Sequence, residues 1–440
     1  MAILTKSLAK TASNQHLLPW LVCLSGGLLF FYEFIQMNAF GSLNTPVMQT
    51  FHLSAGQMSL LSSMYFYANA LFLFIAGNLL DRFSTRKLIL IAMLLCTFGT
   101  LGFAISNSVI EAAVFRFAVG LGGAFCFLSG VRLSSRWFHP SRMALMTGLL
   151  VTMAMIGGWV AQAPFSALIE CIGWRDGMLL NGLLGIIITV WIWLVVQDRP
   201  FGQEDVAETD KSRLKSLGLW TAIQKVLKNA QNWKAAFYTC LMNLPIFLLG
   251  ALWGSMYLVQ IHGYTKTEAT SVTGMIFFGT IFGSPLMGWM SDRLGNRRKP
   301  MIICAAISLL LMLFVIYDQH LSYFSLLVIF FLLGLITSSQ VISYPVVAES
   351  NPHVVTASAV SIVSMVTVFG GALMQPISGW LLDLYWKGHY CDGVHCYSLS
   401  AYQHAMWILL ISFAIAVGLA WVIKETFCRP YEGYRQNNQQ

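Results

Sequence analysis

The sequence of 440 residues predicts an all-α membrane protein with twelve transmembrane helices in two related six-helix bundles. Three observations support this fold class: an apolar composition, twelve long apolar runs, and a charged motif that occurs twice. Apolar residues make up 57% of the chain and charged residues 10%, whereas a typical soluble domain has about 25% charged residues. We therefore expect the chain to be integral to a lipid bilayer.

Each apolar run is long enough to cross the hydrocarbon core of a bilayer, which is ~30 Å thick and needs about 20 residues of helix. Helices are expected because lipid offers the backbone no hydrogen-bond partner. The first run follows Lys6 and Lys10 but covers residues 17–40. The apolar core of a signal peptide has only about 7–15 residues, so we predict a retained first helix. The runs start near residues 17, 56, 88, 110, 143, 176, 236, 267, 300, 322, 355 and 404.

The charged motif lies between apolar runs at residues 77–87 and again at residues 288–299. Each copy reads Gly-x-x-x-Asp-Arg followed by basic residues, and the copies are 211 residues apart. Two Gly-Gly-x-x-x-Gln segments, which end at Gln162 and Gln375, are 213 residues apart. Two matches at nearly the same spacing indicate a duplicated unit. We predict bundles at residues 1–196 and 235–440, joined by a polar cytoplasmic linker at residues 197–234.

The net charge of +8 is unevenly distributed along the chain. If both termini lie on one side of the membrane, the loops and termini of that side hold 22 of the 26 lysine and arginine residues. Cytoplasmic loops carry such an excess, so both termini are predicted to be cytoplasmic. The basic charge then needs no nucleic-acid partner. The lack of any Asn-x-Ser/Thr site fits a bacterial inner membrane.

Both copies of the charged motif resemble the loop signature of the major facilitator superfamily. The segment Arg-x-x-x-Gly-x-Gly that begins at Arg116 resembles the fourth-helix motif of that family. The resemblance covers the whole chain and implies the fold of the family, with alternating access between two bundles. It also implies that Asp81 and Asp292 latch the cytoplasmic side in one state and release it in the other. The first copy departs from the family at Ser84, where Gly is usual. The implied cytoplasmic gate comprises Gly77, Asp81, Arg82, Arg86, Gly288, Asp292, Arg293 and Arg297.

Two ionisable side chains are predicted to lie within membrane helices: Glu33 in the first and Arg116 in the fourth. A charge at the centre of a membrane helix costs about 2.5–3.5 kcal/mol, so each needs a partner or, for Glu33, a proton. At about 1.5 Å per residue, Glu33 lies about 13 Å and Arg116 about 9–10 Å from the outer helix ends. We hypothesise that the two are coupled and that Glu33 exchanges a proton. A permanent structural ion pair is the alternative.

Candidates for lining a solute cavity are polar and aromatic residues within the predicted helices. Buried amides need hydrogen-bond partners, so some candidates are expected to bind other helices instead. Gln162 and Gln375 rank first because the repeat relates them. No dense cluster of lysine or arginine accompanies Arg116, which argues against phosphorylated solutes. The candidates are Tyr32, Gln36, Asn38, Tyr65, Asn69, Gln162, Asn181, Asn243, Trp253, Tyr257, Gln340, Tyr344 and Gln375.

Cys391 and Cys396 flank four residues in a loop that is predicted to face outward, where a disulfide can persist. A disulfide and two free thiols both remain open. Asp383, four residues after Gly379, repeats only a fragment of the charged motif and is interpreted as a boundary residue. The sequence shows no metal-ligand pattern, P-loop or catalytic motif, so no metal, cofactor or enzymatic activity is predicted.

We interpret the chain as a monomeric secondary active transporter that takes up a small polar organic solute with protons across a bacterial inner membrane. The element Phe31-Tyr32-Glu33-Phe34 and the overall layout resemble nutrient transporters of intracellular gammaproteobacteria, whose substrates include amino acids and nucleosides. The alternative solute is a siderophore or a drug-like compound, imported or exported. A sensor built on a transporter fold is less favoured, because it would be expected to carry a signalling domain and only 16 residues follow Lys424.

Overall fold

The computed structural model describes residues 17–138, 142–199, 226–318, 320–351, 356–391 and 393–429. Almost all of this part of the chain is helical, which confirms the predicted fold class. Eleven helical segments within it are long and apolar enough to cross a membrane. The helix Ala55–Arg82, of 28 residues, occupies the place of the remaining predicted run. Most of the predicted linker lies outside the described residues.

The first six predicted runs correspond to nine described helices, because three of the runs are interrupted. The interruptions follow Asn38, Gly123 and Val160, and a further helix continues after each of them. The nine helices are α1 (Leu18–Asn38), α2 (Phe40–Phe51), α3 (Ala55–Arg82), α4 (Thr85–Ile105), α5 (Val109–Gly123), α6 (Cys126–Trp137), α7 (Met143–Val160), α8 (Ala163–Ile172) and α9 (Trp174–Val195).

The second half contains two unusual helical segments among its described residues. A π-helix (Ile246–Trp253) follows α10, and a short 3₁₀-helix (Ser338–Ile342) follows α14. Pro245 precedes the π-helix and lacks the N–H group that an α-helix uses at that position. The α-helices are α10 (Ala230–Pro245), α11 (Gly254–His262), α12 (Lys266–Leu294), α13 (Arg298–Tyr317), α14 (Tyr323–Thr337), α15 (Ser343–Glu349), α16 (Thr356–Leu384) and α17 (Leu399–Val422), and the strands are β1 (Tyr390–Cys391) and β2 (Val394–His395).

The chain forms two compact units whose boundaries differ from the predicted bundles. Unit 1 comprises Met1–Met37, Met64–Ala161 and Leu168–Ser212, and unit 2 comprises Asn38–Ser63, Gln162–Ala167 and Arg213–Gln440. Unit 2 therefore combines the second half of the chain with α2, the first residues of α3 and the junction between α7 and α8. The duplication boundaries themselves stay a prediction.

Unit 1 is held together by a close approach of α4 to α5, and α9 also packs on α4. A Cβ atom at Gly99 would lie 2.6 Å from a Val119 methyl carbon and 2.7 Å from the carbonyl oxygen of Phe115. One at Gly122 would lie 2.5 Å from the sulfur of Cys96. Small residues at these positions allow the helix backbones to meet, as is common in membranes.

Unit 2 has the same kind of core, formed by α12 on α14 and by α10 on α16 and α17. A Cβ atom at Gly283 would lie 2.4 Å from the carbonyl oxygen of Leu335, so α12 approaches α14 through a glycine face. The strands β1 and β2 form an antiparallel hairpin between α16 and α17. Within unit 2, α2 also packs against the π-helix.

Candidate functional site

Arg116 binds the C-terminal end of α1 within unit 1. Its Nη1 donates to the main-chain carbonyl oxygen of Gln36 at 2.6 Å, and its Nη2 donates to that of Met37 at 3.3 Å. The last carbonyl groups of a helix have no partner inside the helix and carry the negative end of its dipole. The buried guanidinium therefore caps α1 where this helix ends at Asn38.

Glu33 lies beside Tyr65 and Asn69, around Gly123. A Cβ atom at Gly123 would lie 2.8 Å from the Tyr65 hydroxyl, 2.9 Å from the Asn69 amide nitrogen and 3.2 Å from a carboxylate oxygen of Glu33. Asn69 donates to the Tyr65 hydroxyl at 3.3 Å, and the Arg116 guanidinium lies 5.0 Å from the centre of the Tyr65 ring. Unit 1 thus brings both proton-coupling candidates together with two of the cavity candidates.

Two polar atoms on one face of α1 are left unsatisfied. Within the described residues, Glu33 Oε2 and Gln36 Nε2 are buried and have no hydrogen-bond partner. Residues three apart on a helix lie on the same face, so both side chains belong to one face of α1. An unsatisfied buried polar atom costs about 1–3 kcal/mol, and more when it is charged. This face of α1 therefore remains a candidate for taking up a proton or a polar ligand.

Gln162 and Gln375 occupy related positions and make related bonds within unit 2. Gln162 Nε2 donates to the carbonyl oxygen of Asn38 at 3.4 Å, and Gln375 Nε2 donates to that of Phe247 at 2.9 Å. The acceptors are 209 residues apart (247 − 38), close to the spacing of the two glutamines. Each glutamine oxygen also accepts a hydroxyl hydrogen bond. The structure thus places both side chains in helix contacts, and their role in lining a cavity stays a prediction.

The π-helix is a shared acceptor for side-chain amides from other segments of unit 2. Asn44 is one of the donors, and its own side-chain oxygen accepts from Lys266. Lys266 Nζ also donates to the Ser255 hydroxyl at 3.2 Å. π-helical turns occur frequently at functional sites. The three accepting carbonyl groups are those of Phe247, bound by Gln375, of Gly250, bound by Gln162, and of Leu252, bound by Asn44.

The other cavity candidates bind groups in their own unit, and whether they line a solute cavity stays a prediction. Tyr32 donates to the Asn181 carbonyl at 3.2 Å, which fixes it inside unit 1. In unit 2, Trp253 donates to the Ser378 hydroxyl at 3.0 Å and Tyr257 donates to the Val315 carbonyl at 2.9 Å. Asn243 donates to the Thr239 carbonyl at 3.1 Å, and the Thr239 hydroxyl donates to the Gln340 carbonyl at 3.3 Å.

The second copy of the charged motif lies in an ion-pair cluster of unit 2. Arg297 is 7% exposed and pairs with Asp292 at 2.6 Å and with Glu349 at 2.7 Å. Glu425 accepts from the main-chain N–H groups of Arg297 and Arg298 at 2.9 and 2.8 Å. Burial raises the pKa of Glu425, but its main-chain hydrogen bonds outweigh burial and hold this pKa below its usual value.

The first copy has a similar acidic partner in unit 1. Asp198 accepts from the main-chain N–H of Arg86 at 3.0 Å, from the Ser84 hydroxyl, and from Arg136 at 3.3 Å. Ser84 caps α4 and has φ of −60°, whereas Gly295, its counterpart in the second copy, ends α12 with φ of +57°. With serine in place of glycine, the first copy therefore has a helix N-cap at Ser84, where the second copy has a left-handed turn at Gly295. The side chains of Asp81 and Arg82 lie outside the described residues.

Sequence reasoning missed the acidic residues Asp198, Glu349 and Glu425. A signal for two of them exists, because Asp198 and Glu425 each follow the last residue of a helix, Val195 or Val422, by three positions. Among the other gate candidates, Arg293 lies over the Trp289 ring at 5.1 Å. A Cβ atom added at Gly77 or Gly288 would meet no described atom within 4 Å.

The family model described as Major Facilitator Superfamily matches residues 26–265 and 235–436 of the chain. The chain belongs to this superfamily. Among solved structures, this facilitator is similar to a bacterial homolog of the human lysosomal transporter Spinster in its inward-facing, unoccupied conformation. The TM-score is 0.73 at 18% sequence identity, over 92% of this chain and 96% of that one, and the likeness shows the shared fold.

Curated relatives of the facilitator include an uncharacterized transporter of Bacillus subtilis, YybO, 24% identical over 56% of this chain and 54% of the relative. The probable sulfoacetate transporter SauU of Cupriavidus necator is 21% identical over 64% of this chain and 66% of the relative. The membrane sensor protein UhpC of Escherichia coli is 24% identical over 77% of this chain and 80% of the relative. The chain thus spans less than two thirds of the length of the first two.

The facilitator is therefore a multi-pass membrane protein related to transporters of small solutes, and its relatives and fold are not those of enzymes. These relatives do not support the narrower resemblance to amino acid and nucleoside transporters that was based on Phe31-Tyr32-Glu33-Phe34. Four residues of an aromatic helix are too common a pattern to identify a subfamily. The structure joins Cys391 and Cys396 in a disulfide with the Cα atoms 5.3 Å apart.

Proposed function

We propose that the chain is a secondary active transporter that takes up a small polar organic solute together with protons, by alternating access, with both termini in the cytoplasm of a bacterium. The observation that carries this proposal is the pair of unsatisfied atoms on α1, Glu33 Oε2 and Gln36 Nε2. Membership of the family supports the transport of small solutes. In this proposal, Glu33 Oε2 binds the proton and Gln36 Nε2 binds the solute.

Glu33 is the proposed proton carrier. The residue is 3% exposed, and the positive charge of Arg116 acts on its carboxylate. Because Glu33 Oε2 has no hydrogen-bond partner, the two carboxylate oxygens of Glu33 do not both bind the Arg116 guanidinium. A buried carboxylate with an oxygen left open is stabilised by protonation. Uptake of a proton by Glu33 therefore lowers the cost of moving this site through the membrane.

Gln36 and Arg116 are proposed to recognise a carboxylate group on the solute. Gln36 presents an amide donor, and the positive charge of Arg116, whose guanidinium binds the end of α1, favours an anionic group nearby. Sulfoacetate, named for one relative, carries a carboxylate, and so does every amino acid. Small organic acids and amino acids are therefore the proposed solute class, and a nucleoside serves as a neutral comparison.

Reconstituted vesicles test this proposal. Purified protein in proteoliposomes, given an inward proton gradient, should accumulate at least one radiolabelled solute from a panel of small carboxylates and amino acids. Glu33→Gln should abolish accumulation but keep exchange of solute in the absence of a gradient, since the glutamine amide does not gain or lose a proton near neutral pH. An exposed glutamate, Glu170, provides the matched control, and Glu170→Gln should behave like the parent protein.

If the Glu33→Gln protein still accumulates solute in a pH-dependent way, Glu33 does not carry the proton. Accumulation of nucleosides, siderophores or drug-like compounds without any carboxylate would refute the proposed solute class. If Glu33 does not carry the proton, Glu33 and Arg116 would be reassigned as a structural ion pair, the alternative that the sequence leaves open.

A sensor is the second candidate, and a specific similarity favours it: the membrane sensor protein UhpC matches over 77% of this chain. A sensor binds its ligand without accumulating it. A ligand that binds only the folded state raises thermal stability, whether or not it is transported. A sensor would therefore be identified by a carboxylate that stabilises the purified protein but shows no exchange or accumulation in proteoliposomes.

A further inference from the structure

A third Gly-x-x-x-Asp segment, Gly379 to Asp383, ends α16 in unit 2. Its spacing is that of the two cytoplasmic motifs, but the predicted topology places it at the opposite face of the membrane. Each half of a facilitator contains two inverted three-helix repeats, in which the eighth and eleventh spans correspond. The segment on α16 therefore has the position expected for an inverted copy of the motif on α12.

Asp383 caps the N-terminus of α3, which is contributed by the first half of the chain. Its Oδ2 accepts from the Ser54 hydroxyl at 2.6 Å and from the N–H of Gly56 at 2.7 Å, and its Oδ1 accepts from the N–H of Ala55 at 3.0 Å. The first N–H groups of a helix lack partners and carry the positive end of its dipole. Here a carboxylate more than 300 residues away in the sequence satisfies them.

Gly379 lets α16 and α3 approach at the same place. A Cβ atom there would lie 2.5 Å from the carbonyl oxygen of Ala55 and would overlap the Ser59 hydroxyl. By contrast, a Cβ atom at Gly77 or Gly288 meets no described atom within 4 Å. The tight glycine contact is therefore made at the copy on α16.

A disulfide-closed hairpin supports the carboxylate from the other side. Tyr397, 2% exposed, donates to Asp383 Oδ1 at 2.7 Å, and burial together with the nearby carboxylate raises the pKa of its hydroxyl. His395 Nδ1 lies 3.8 Å from the same oxygen. The bond between Cys391 and Cys396 closes the hairpin that carries His395.

We propose that Gly379 and Asp383 form an outer latch, which holds α3 against α16 while the outer side is closed and releases it when the outer side opens. The latch is the inverted counterpart of the cytoplasmic motif. This proposal rests on the proposed alternating access and on the predicted orientation.

Accessibility of a buried position on α3 tests the latch without any solute. Ser62 is fully buried, so Ser62→Cys serves as the reporter in a background that also carries Cys171→Ser, which removes the described exposed free cysteine. A membrane-impermeant maleimide is added to right-side-out vesicles. Asp383→Ala should raise the rate of labelling about tenfold or more, the change that loss of one charge-assisted hydrogen bond can produce. Gly379→Ala should raise it as well, because its methyl group would overlap the Ser59 hydroxyl. Asp383→Glu should lie closer to the parent protein.

Two matched controls complete the test. Gly418→Ala adds a methyl group where no described atom lies within 4 Å, and Asp318→Asn removes an exposed aspartate, so neither should change labelling. Thermal unfolding identifies variants that are misfolded. If Asp383→Ala is misfolded, Asp383→Asn takes its place in the test. Unchanged labelling in folded Asp383 and Gly379 variants would overturn the latch, and so would an increase seen only in inverted vesicles. A failed uptake assay tests the proposed function separately, because labelling needs no solute.

Discussion

The Arg116 guanidinium donates a 2.6 Å hydrogen bond to the main-chain carbonyl oxygen of Gln36, at the end of α1. This bond ties a membrane-buried cation to a helix terminus, close to the carboxylate of Glu33. In the proposed mechanism, protonation of Glu33 changes the charge near this bond and thereby affects the conformation at the end of α1.

Arg116→Lys should lower the rate of uptake at least about tenfold and should also lower thermal stability. A lysine has one compact ammonium group and cannot reproduce the fork that reaches both the Gln36 and Met37 carbonyl groups. Uptake and unfolding temperature are measured on the same preparation. Arg142→Lys changes an exposed arginine and should have no effect on either. Normal uptake by the Arg116→Lys protein would show that the two bonds are not needed.

Gln162→Ala should lower the free energy of unfolding by about 2–3 kcal/mol, since it removes three buried hydrogen bonds, those to the Asn38 carbonyl, the Gly250 carbonyl and the Thr273 hydroxyl. Equilibrium unfolding in detergent gives the value. Asn107→Ala, at an exposed position between α4 and α5, should change stability by less than about 0.5 kcal/mol. A similar loss for both variants would contradict the bridging role of Gln162.

Glu349→Gln should destabilise the protein more than Asp292→Asn, although only Asp292 belongs to the recognised motif. The Glu349 side chain is 13% exposed and pairs with the buried Arg297, whereas Asp292 is 68% exposed. Removing one partner of a buried ion pair costs about 3–5 kcal/mol. An exposed pair contributes about 0–1 kcal/mol. Unfolding of the two variants under identical conditions checks the order, and the reverse order would contradict the importance of burial here.

Glu425 should make stability depend on pH in the acidic range. Its pKa is lower in the folded state than in the unfolded state, so its stabilising contribution is complete above the unfolded value and is lost as pH falls through the folded one. Unfolding temperatures measured from neutral to acidic pH should fall less steeply for Glu425→Gln than for the parent protein. Parallel curves would show that the main-chain bonds to Glu425 do not matter for stability.

The helices could be predicted from the sequence because an apolar run of sufficient length has one stable form in lipid. The sequence predicts that a helix starts near residue 143, and α7 begins at Met143. The interruption after Asn38 and the π-helix could not be predicted, since both lie inside continuous apolar runs. Both are accompanied by contacts with distant segments: Arg116 binds the end of α1, and Gln162 binds the π-helix that follows Pro245.

The site could be predicted only in part. Glu33 and Arg116 were recognisable because a charge in a membrane helix is costly wherever it lies. Asp383 was interpreted as a boundary residue, because its partners at residues 54–56 are far away in the chain and carry no charge. Gln162 and Gln375 were recognised as related, but their acceptors are main-chain carbonyl groups, which every sequence contains.

The π-helix between Pro245 and Gly254 holds its hydrogen bonds one residue further apart than an α-helix does. If this segment rewinds into α-helical form, every residue beyond it turns by about 100°, the angle per residue of an α-helix. Tyr257 would then face a different neighbour, and the carbonyl groups that now bind Gln162 and Asn44 would turn away from them. A screw motion of one helix could thus release several contacts in a single step, without unfolding any of the helices that make them.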